Sequence, residues 1–477
     1  MGITSLSFLS LAVASIFIYY LLGTRYRIPF LTLVSCGFIA TYSYMLLFYV
    51  LIYSLINYYI GIMIPIKRVR KILFISGIVF NLLQLILLKY VSFTINPVLQ
   101  LLNIDLDLAI ISRIIIPVGV SFFTLQGIGY IINLYLGWEK PEKNFINFLL
   151  YIIFYPRFLS GPIDRSNRFL PQLKVKQLFN SQKIEQGFRL VLFGLFKKVA
   201  IANQLAPVVA SAYANLGSQD GSFLWVILVI QPLYLYFDFS GYTDIAYGFA
   251  RAYGIELMPN FNRPFMSTSM TEFLKRFHIS LSSWFHDYIF IRTCFKYKKL
   301  GRKAANIALF LTWILFGIWH GAGWTFMLLG LLQALAIYYE FNTKRMRKRL
   351  FSKIPGIPRK WIARIITYLF FGTSLVFFFA PDINSVFLFY TGLFDGNVLI
   401  PSGIRKGIFF LVLLFIFIFL FFEAFKNDFS DNYNKIESMW FRKNIGNVTL
   451  RWLLYFALIA IILVFNKEVK EFIYFQF

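Results

Sequence analysis

The chain contains three histidines, His278, His286 and His320, and the last of them has the most unusual setting. His320 lies within the apolar run NIALFLTWILFGIWHGAGWTFMLLG, where nearby glycines let the backbone bend or approach closely. An ionisable side chain at membrane depth is costly and usually lines a cavity or a pathway. Because an imidazole can take a proton from a hydroxyl near neutral pH, we predict that His320 acts as a general base. The alternative is a histidine that is hydrogen-bonded to a neighbouring helix and has no chemical role.

His278 and His286 belong to the segment SMTEFLKRFHISLSSWFHDYIFI. Its apolar residues recur at three- and four-residue spacing, as on one face of a helix, and its polar residues recur in the same way on another face. We therefore predict one amphipathic helix at the cytoplasmic interface or dipping into the protein. For His286 we expect only a place on the polar face. For His278 the residues alone leave a catalytic and a structural role open.

Two carboxylates and two amides are further candidates for chemistry. Asp238 and Asp244 stand inside or at the end of an apolar span, where they either belong to a proton or ion pathway or pair with buried polar groups. Asn260 and Asn262, in the turn-rich LMPNFNRPFMS, either bind polar substrate atoms or cap helices and form turns, and we favour the second role. The sequence has no zinc-binding spacing and no nucleotide-binding motif, so we predict neither a metal site nor nucleotide hydrolysis.

The composition of the chain shows what kind of elements must position these residues. Of its 477 residues, 59% are hydrophobic and 14% are charged, whereas a soluble domain carries about a quarter charged residues. The apolar runs have lengths that match a hydrocarbon core of about 30 Å. The net charge of +26 comes from basic clusters between these runs, which the positive-inside rule explains without nucleic acid. The sequence therefore predicts an all-α, multi-pass membrane protein.

We predict about eleven transmembrane helices, with a margin of two, together with re-entrant and amphipathic helices. The apolar runs lie at 3–22, 28–64 (two crossings), 72–95, 113–136, 186–213, 222–250, 304–320, 324–341, 361–380, 407–425 and 449–466. We interpret the first run as a membrane helix with its N-terminus outside, because its basic residues follow it. The segments 146–185 and 384–400 are predicted to be re-entrant or interfacial and packed in protein. The charge pattern assigns the least apolar region, 251–303, to the cytoplasmic side.

Four blocks of the sequence resemble the membrane-bound O-acyltransferase (MBOAT) family. They are PVGVSFFTLQGIGYIINLYLG, FYPRFLSGPIDRSNRFLPQL, DFSGYTDIAYGFARAYGIELMPNFNRPFMSTSMTEFLKRFHISLSSWFHDYIFI and GIWHGAGWTFMLLG. The likeness is strongest to the bacterial branch of alginate O-acetyltransferases and D-alanyl-lipoteichoic-acid transferases. It implies a single membrane-embedded domain over residues 1–477, with the family core at 117–340 and C-terminal membrane helices at 341–477.

The resemblance also implies an MBOAT fold, in which a ring of membrane helices surrounds a thinned centre. It implies that His320 is the catalytic histidine of the family and that His278 occupies the second histidine position. Candidate substrate-binding residues in the matching blocks are Asp238, Asn260, Asn262, Trp284 and Trp319.

The resemblance implies an O-acyltransferase that moves a small acyl group, with acetyl favoured. The expected donor is a cytoplasmic thioester, either acetyl-CoA or an acyl carrier, and no cofactor is expected to be bound. Further expected partners are membrane lipid and an extracytoplasmic polysaccharide or relay acetyltransferase, and the expected location is the bacterial cytoplasmic (inner) membrane.

Two other functions stay open at this stage. One is D-alanyl transfer from a carrier protein to teichoic acid, because the segment IRTCFKYKK departs from the IPLGG usual in the acetylating branch. The other, from a different class, is a proton-coupled transporter or flippase that uses Asp238, Asp244 and His320 as a relay.

Overall fold

A computed structural model describes residues 1–90, 119–214, 216–218, 221–395, 406–430 and 445–466 of the chain. Within these ranges the regular structure is helical, and the β-type pairing is limited to an isolated bridge between Phe261 and Phe277. The fold class predicted from the sequence is confirmed.

Helices follow one another along the chain with short connections. The first are α1 Leu6–Leu21, α2 Thr24–Ala40, α3 Tyr44–Met63, α4 Arg70–Leu85, α5 Val120–Leu136, α6 Phe145–Ile153 and α7 Ser166–Lys174. The next are α8 Ser181–Leu195, α9 Asn203–Ala214, α10 Gly221–Ala252, α11 Met270–Arg276, α12 Ile279–Phe285 and α13 Ile291–Lys296. The last are α14 Arg302–His320, α15 Trp324–Asn342, α16 Lys344–Leu350, α17 Gly356–Ser374, α18 Val376–Phe379, α19 Ile383–Gly392, α20 Lys406–Asp428 and α21 Ile445–Phe465. π-Helical turns extend α4 over Ile86–Tyr90, α8 over Phe196–Ala202 and α12 over His286–Phe290.

Eight helical stretches of the described residues are long and apolar enough to cross a membrane. They are Tyr44–Met63, Arg70–Tyr90, Ser181–Ala214, Gly221–Ala252, Arg302–His320, Trp324–Asn342, Gly356–Phe379 and Gly446–Phe465. The shorter helices α1 and α5 are also apolar. The protein is therefore a multi-pass membrane protein. The count of about eleven crossings stays a prediction, because residues 91–118 and 396–405 lie outside the described ranges.

The segment predicted to be re-entrant, 146–185, packs inside the protein. Every residue from Tyr151 to Asp164 is buried, although much of this stretch is irregular backbone. The buried guanidinium of Arg157 donates to the carbonyl of Tyr151 and lies 4.0 Å from the carboxylate of Asp164. Arg168 approaches the same carboxylate at 3.7 Å. The polar groups of this non-helical segment therefore find partners within the protein, as a membrane environment requires.

Helices α8 and α10 pack backbone against backbone through glycines. A Cβ atom at Gly187 would lie 2.5 Å from the carbonyl oxygen of Gly248, and one at Gly194 would lie 2.7 Å from that of Gly241. These distances are too short for any side chain. The close packing brings the π-helical turn that follows α8 against the middle of α10.

Helices α14 and α15 form the hairpin that the sequence predicts, with the glycine-rich elbow at 321–323 between them. A Cβ at Gly317 would lie 2.2 Å from the carbonyl oxygen of Phe326, and one at Gly330 would lie 2.1 Å from that of Trp313. The two helices therefore touch along their backbones. This contact holds the inner face of α15 against the end of α14 that carries the candidate general base.

Candidate active site

His320 is the last residue of α14, and the chain continues from it in an extended conformation at Gly321. A Cβ at Gly321 would lie 2.1 Å from the ring of Phe326, so this position needs a glycine. The imidazole is buried, with the rings of Phe316 and Trp319 centred 5.0 and 5.1 Å from it. Both rings meet it edge to face, an arrangement that restricts its orientation.

The prediction of one continuous amphipathic helix around His278 is wrong, because the helix is broken at this residue. Helix α11 ends at Arg276 and α12 begins at Ile279, with His278 between them at φ 51° and ψ 49°. This left-handed conformation costs a residue with a side chain about 1–2 kcal/mol. It interrupts the helical periodicity, so His278 is 1% exposed whereas His286 lies at the surface. The expected surface position of His286 is confirmed.

Asn260 holds the break at His278. Its backbone carbonyl accepts from the N–H of Ile279 at 2.9 Å, and its side-chain oxygen accepts from the N–H of Ser280 at 3.3 Å. These donors are the first N–H groups of α12, which have no partner within their own helix. Asn260 therefore positions His278, which agrees with the capping role favoured from the sequence. Asn262 is exposed, and the structure does not bring its side chain to the two buried histidines.

His278 and His320 line the same small cavity. Their ring centres are 6.5 Å apart, and the cavity between the surrounding helices has a volume of about 40 Å³. Its walls come mainly from apolar side chains of α10, α11, α15 and α17, with the amide of Gln333 as the additional polar group. A space of this size holds a few water-sized groups. The two imidazoles therefore face a compartment suited to a small reacting group.

Burial sets the protonation state of the second histidine. Desolvation, with a smaller contribution from the neighbouring His320, lowers the pKa of His278 well below its ordinary value. The ring of Phe239 lies edge-on at 4.6 Å and that of Trp319 at 6.0 Å, and both exclude water. His278 is therefore neutral near pH 7, with one ring nitrogen able to donate and the other able to accept.

The two tryptophans named from the sequence differ in position. Trp319 packs against both histidines, and its indole N–H donates to the carbonyl of Ser121 at 3.4 Å. Trp284 is buried in a separate apolar cluster, where its indole N–H donates to the carbonyl of Leu125 at 2.9 Å. Trp284 therefore joins α12 to α5, and the structure does not bring it to the cavity.

The two aspartates of α10 are paired with lysines. Asp238 is buried and forms an ion pair with Lys198, and Asp244 lies 2.7 Å from the ammonium of Lys197. Both lysines belong to the π-helical turn that follows α8. Of the two interpretations left open by the sequence, pairing with buried groups is the one that the structure shows.

Lys89 and Tyr90, which the sequence did not single out, hold the helix end that carries His320. The ammonium of Lys89 donates to the carbonyls of Trp319 and His320, each at 3.0 Å. The hydroxyl of Tyr90 donates to the carbonyl of Ile318 at 2.9 Å. The last carbonyls of a helix have no partner within it, and a cation is favoured at this end by the helix dipole. A lysine within an apolar run was the signal available in the sequence.

Gln333 is a second residue that the sequence did not indicate. It is 3% exposed, and its amide N–H donates to the hydroxyl of Ser374 at 2.9 Å. That hydroxyl in turn donates to the carbonyl of Phe371, which assigns the amide nitrogen and oxygen of Gln333. The amide oxygen has no hydrogen-bond partner among the residues that the structure describes. A buried acceptor at the cavity is thus available to a substrate donor.

Comparison with known proteins identifies the class of protein that this fold and cavity define. Residues 142–380 match the model of MBOAT, the membrane-bound O-acyltransferase family. The chain belongs to this family, and it is therefore an acyltransferase.

Several relatives are similar over most of the chain. The probable alginate O-acetylase AlgI of Pseudomonas aeruginosa is 31% identical, over 79% of this chain and 72% of its own length. The peptidoglycan O-acetyltransferase of Helicobacter pylori is 28% identical, over 69% and 66%. The teichoic acid D-alanyltransferase of Streptococcus thermophilus is 29% identical, over 78% and 91%.

Proposed function

We propose that this protein transfers an acetyl group from a cytoplasmic thioester, acetyl-CoA or an acylated carrier, to a hydroxyl group outside the membrane. The acceptor is a cell-envelope polysaccharide or a relay protein, and the enzyme resides in the bacterial cytoplasmic membrane. The observation that carries the proposal is the pair His278 and His320, buried on one cavity in a member of an acyltransferase family. The relatives named for O-acetylation of alginate and peptidoglycan support acetyl as the transferred group.

In this proposal His320 is the general base. Its neutral imidazole takes the proton of the acceptor hydroxyl as the oxygen attacks the thioester carbonyl carbon. The resulting tetrahedral intermediate collapses with cleavage of the carbon–sulfur bond. The imidazolium returns its proton to the departing thiolate, so the products are an oxygen ester and a free thiol. Lys89 is a positioning residue, because it binds the backbone carbonyl of His320 and not the ring.

His278 has a supporting role in the same step. Because its ring is neutral and buried beside the cavity, its N–H can donate to the thioester carbonyl oxygen, on which negative charge develops. The left-handed backbone at His278 supports this assignment, because strained residues persist where the surrounding structure holds them in place, often at functional sites.

D-alanyl transfer is the second candidate, and the comparison supports it through coverage. The similarity to the D-alanyltransferase of Streptococcus thermophilus extends over 91% of that protein, a larger share than for the other relatives named above. Both reactions use a thioester donor and a hydroxyl acceptor, so the same histidine roles apply to either acyl group.

The test is replacement of His320 by alanine in cells that carry the protein. Loss of a general base lowers the rate by about 100- to 10,000-fold, so ester-linked acyl groups on the envelope polymers should nearly disappear. The matched control is His286→Ala, which removes an exposed histidine of the same chain and should leave acylation unchanged. Both variants must be as abundant in the membrane as the wild type.

Chemical analysis of the released acyl groups separates the two candidates. Loss of acetate from the polymers supports acetyl transfer, and loss of D-alanine supports the second candidate. Normal acylation in the His320→Ala cells, with the variant folded and abundant, would refute the acyltransferase role of His320.

A further inference from the structure

A second and much larger cavity lies away from the histidines, between α15 and α17. Its volume is about 660 Å³, within the range of small-molecule binding sites. One part of its wall consists of apolar side chains of the two helices, among them Leu335, Ala336 and Ile366. The other part consists of basic side chains from the ends of these helices and the segment that joins them. We call this cavity the α15–α17 groove.

The apolar wall of the groove is open at the side of the protein. Leu335 is 45% exposed and Ile366 is 56% exposed, although both belong to helices that can cross a membrane. Ile365 and Leu369 extend the same exposed apolar surface along α17. Such surface on a membrane-spanning helix contacts lipid chains. The groove is therefore accessible from the hydrocarbon layer.

The basic end of the groove carries a high positive charge. The segment TKRMRKRLFSKIPGIPRK, residues 343–360, has eight Lys and Arg and no acidic residue. Five of these cations line the groove, and they are Lys344, Arg347, Lys348, Arg359 and Lys360. Among the described residues, no carboxylate lies within ion-pair distance of Lys344 or Lys348. Their charge is available to a ligand.

The acidic residue that lines the groove does not neutralise this charge. The carboxylate of Glu340 accepts from the backbone N–H groups of Met270 and Thr271 at 2.6 and 3.0 Å and from the Thr271 hydroxyl at 2.6 Å. It is committed to the first turn of α11. Arg347 donates to the Glu340 carbonyl at 2.8 Å, which anchors the basic segment to the end of α15.

We propose that the α15–α17 groove binds a phospholipid with an anionic headgroup. The phosphate lies among the cations at the basic end, and an acyl chain lies along the exposed apolar wall formed by Leu335 and Ile366. The sequence places the basic segment on the cytoplasmic side, where anionic headgroups are concentrated, and basic pockets between membrane helices on this side suit such headgroups. A soluble thioester donor has the phosphate chemistry but does not explain an apolar wall open to the membrane.

The experiment measures lipid binding to the purified full-length protein in a neutral detergent. Phosphatidylglycerol, which is anionic, and phosphatidylcholine, which has no net charge, are titrated separately, and bound lipid is counted by native mass spectrometry. Phosphatidylglycerol should bind at one saturable site at least tenfold more tightly than phosphatidylcholine. Each lysine near an anionic headgroup contributes roughly fivefold in affinity, so Lys344→Gln with Lys348→Gln should weaken binding about thirtyfold.

Two further variants separate a site from general surface charge. Lys298→Gln with Lys299→Gln removes the same number of exposed cations outside the groove and should change the affinity less than twofold. Ala336→Phe fills the apolar wall and keeps the cations, and it should weaken binding of both lipids. Size-exclusion chromatography verifies that each variant is folded and monodisperse.

Three results would overturn the proposal. Equal affinity for the two lipids would remove the role of the headgroup charge. Equal weakening by the two double variants would reduce the effect to surface electrostatics. Displacement of phosphatidylglycerol by coenzyme A would assign the groove to a soluble phosphate-bearing donor. None of these measurements depends on acyl transfer, so the proposed function and this proposal fail independently.

Discussion

Replacement of Gln333 by leucine separates a substrate contact from a structural role at the cavity. Gln333 is buried and lines the cavity with His278 and His320. Its amide N–H binds Ser374, while its amide oxygen has no partner among the described residues. Leucine has a similar size and no polar group. The change therefore removes one internal hydrogen bond together with the unpartnered acceptor.

The two effects on stability oppose each other. A buried acceptor without a partner costs about 1–3 kcal/mol, which the leucine variant regains. The hydrogen bond to Ser374 contributes about 1 kcal/mol, which the variant loses. The net effect is neutral to stabilising, and the thermal midpoint should fall by no more than about 2 °C. A hydrogen bond to the substrate at the reacting group contributes about 0.5–1.5 kcal/mol, so kcat/KM should fall by roughly two- to tenfold.

The assay combines steady-state acyl transfer with thermal unfolding of the purified protein in detergent. The matched control is Gln231→Leu, because Gln231 is fully buried and both ends of its amide are bonded, to the Tyr213 hydroxyl and to the Gly372 carbonyl, each at 2.7 Å. That variant should lose stability by about 1–3 kcal/mol and keep its kcat/KM in the protein that remains folded. Unchanged kcat/KM in Gln333→Leu, or a loss of stability as large as that of the control, would refute the reasoning.

Two further predictions concern residues next to the candidate site. Lys89→Met removes the ammonium that binds the carbonyls of Trp319 and His320, and because a misplacement of about 1 Å costs roughly a hundredfold, kcat should fall about ten- to a hundredfold with an unchanged KM for the donor. Steady-state kinetics tests this, and a wild-type kcat contradicts it. Burial raises the pKa of Glu139 from 4.5 to about 7 in spite of its hydrogen bond from Ser166, so stability should fall as pH rises through this interval. Glu139→Gln should lose this pH dependence and be more stable than wild type at pH 8 by about 1–2 kcal/mol, as thermal midpoints at pH 5 and pH 8 will show; equal slopes for the two proteins contradict it.

Much of the fold follows from the sequence because the bilayer imposes a simple rule. A segment that crosses lipid must satisfy its own backbone hydrogen bonds, so long apolar runs become helices. The runs at 222–250, 304–320 and 324–341 correspond closely to α10, α14 and α15. The proline-rich stretch within 146–185 violates this rule, and that violation correctly predicted a segment packed inside the protein.

The continuous helix predicted around His278 failed because periodicity is a local signal. The residues of α11 and α12 have helical spacing, but the backbone of Asn260, eighteen positions earlier in the chain, ties down Ile279 and stabilises a left-handed residue between them. No pattern within the segment itself records that contact. The same limitation explains why the pairing of Asp238 with Lys198 stayed one of two alternatives.

The sequence alone determined the class of the protein, its membrane helices and the two histidines on which the proposed chemistry rests. Their types, their scarcity and their surrounding motifs are properties of short stretches of chain. The tertiary structure decided how the chain surrounds them: that His278 and His320 share one cavity, that Lys89 binds the end of α14, and that the amide oxygen of Gln333 is unpartnered. These are contacts between residues tens to hundreds of positions apart, which form only when the helices pack and which no local spacing encodes.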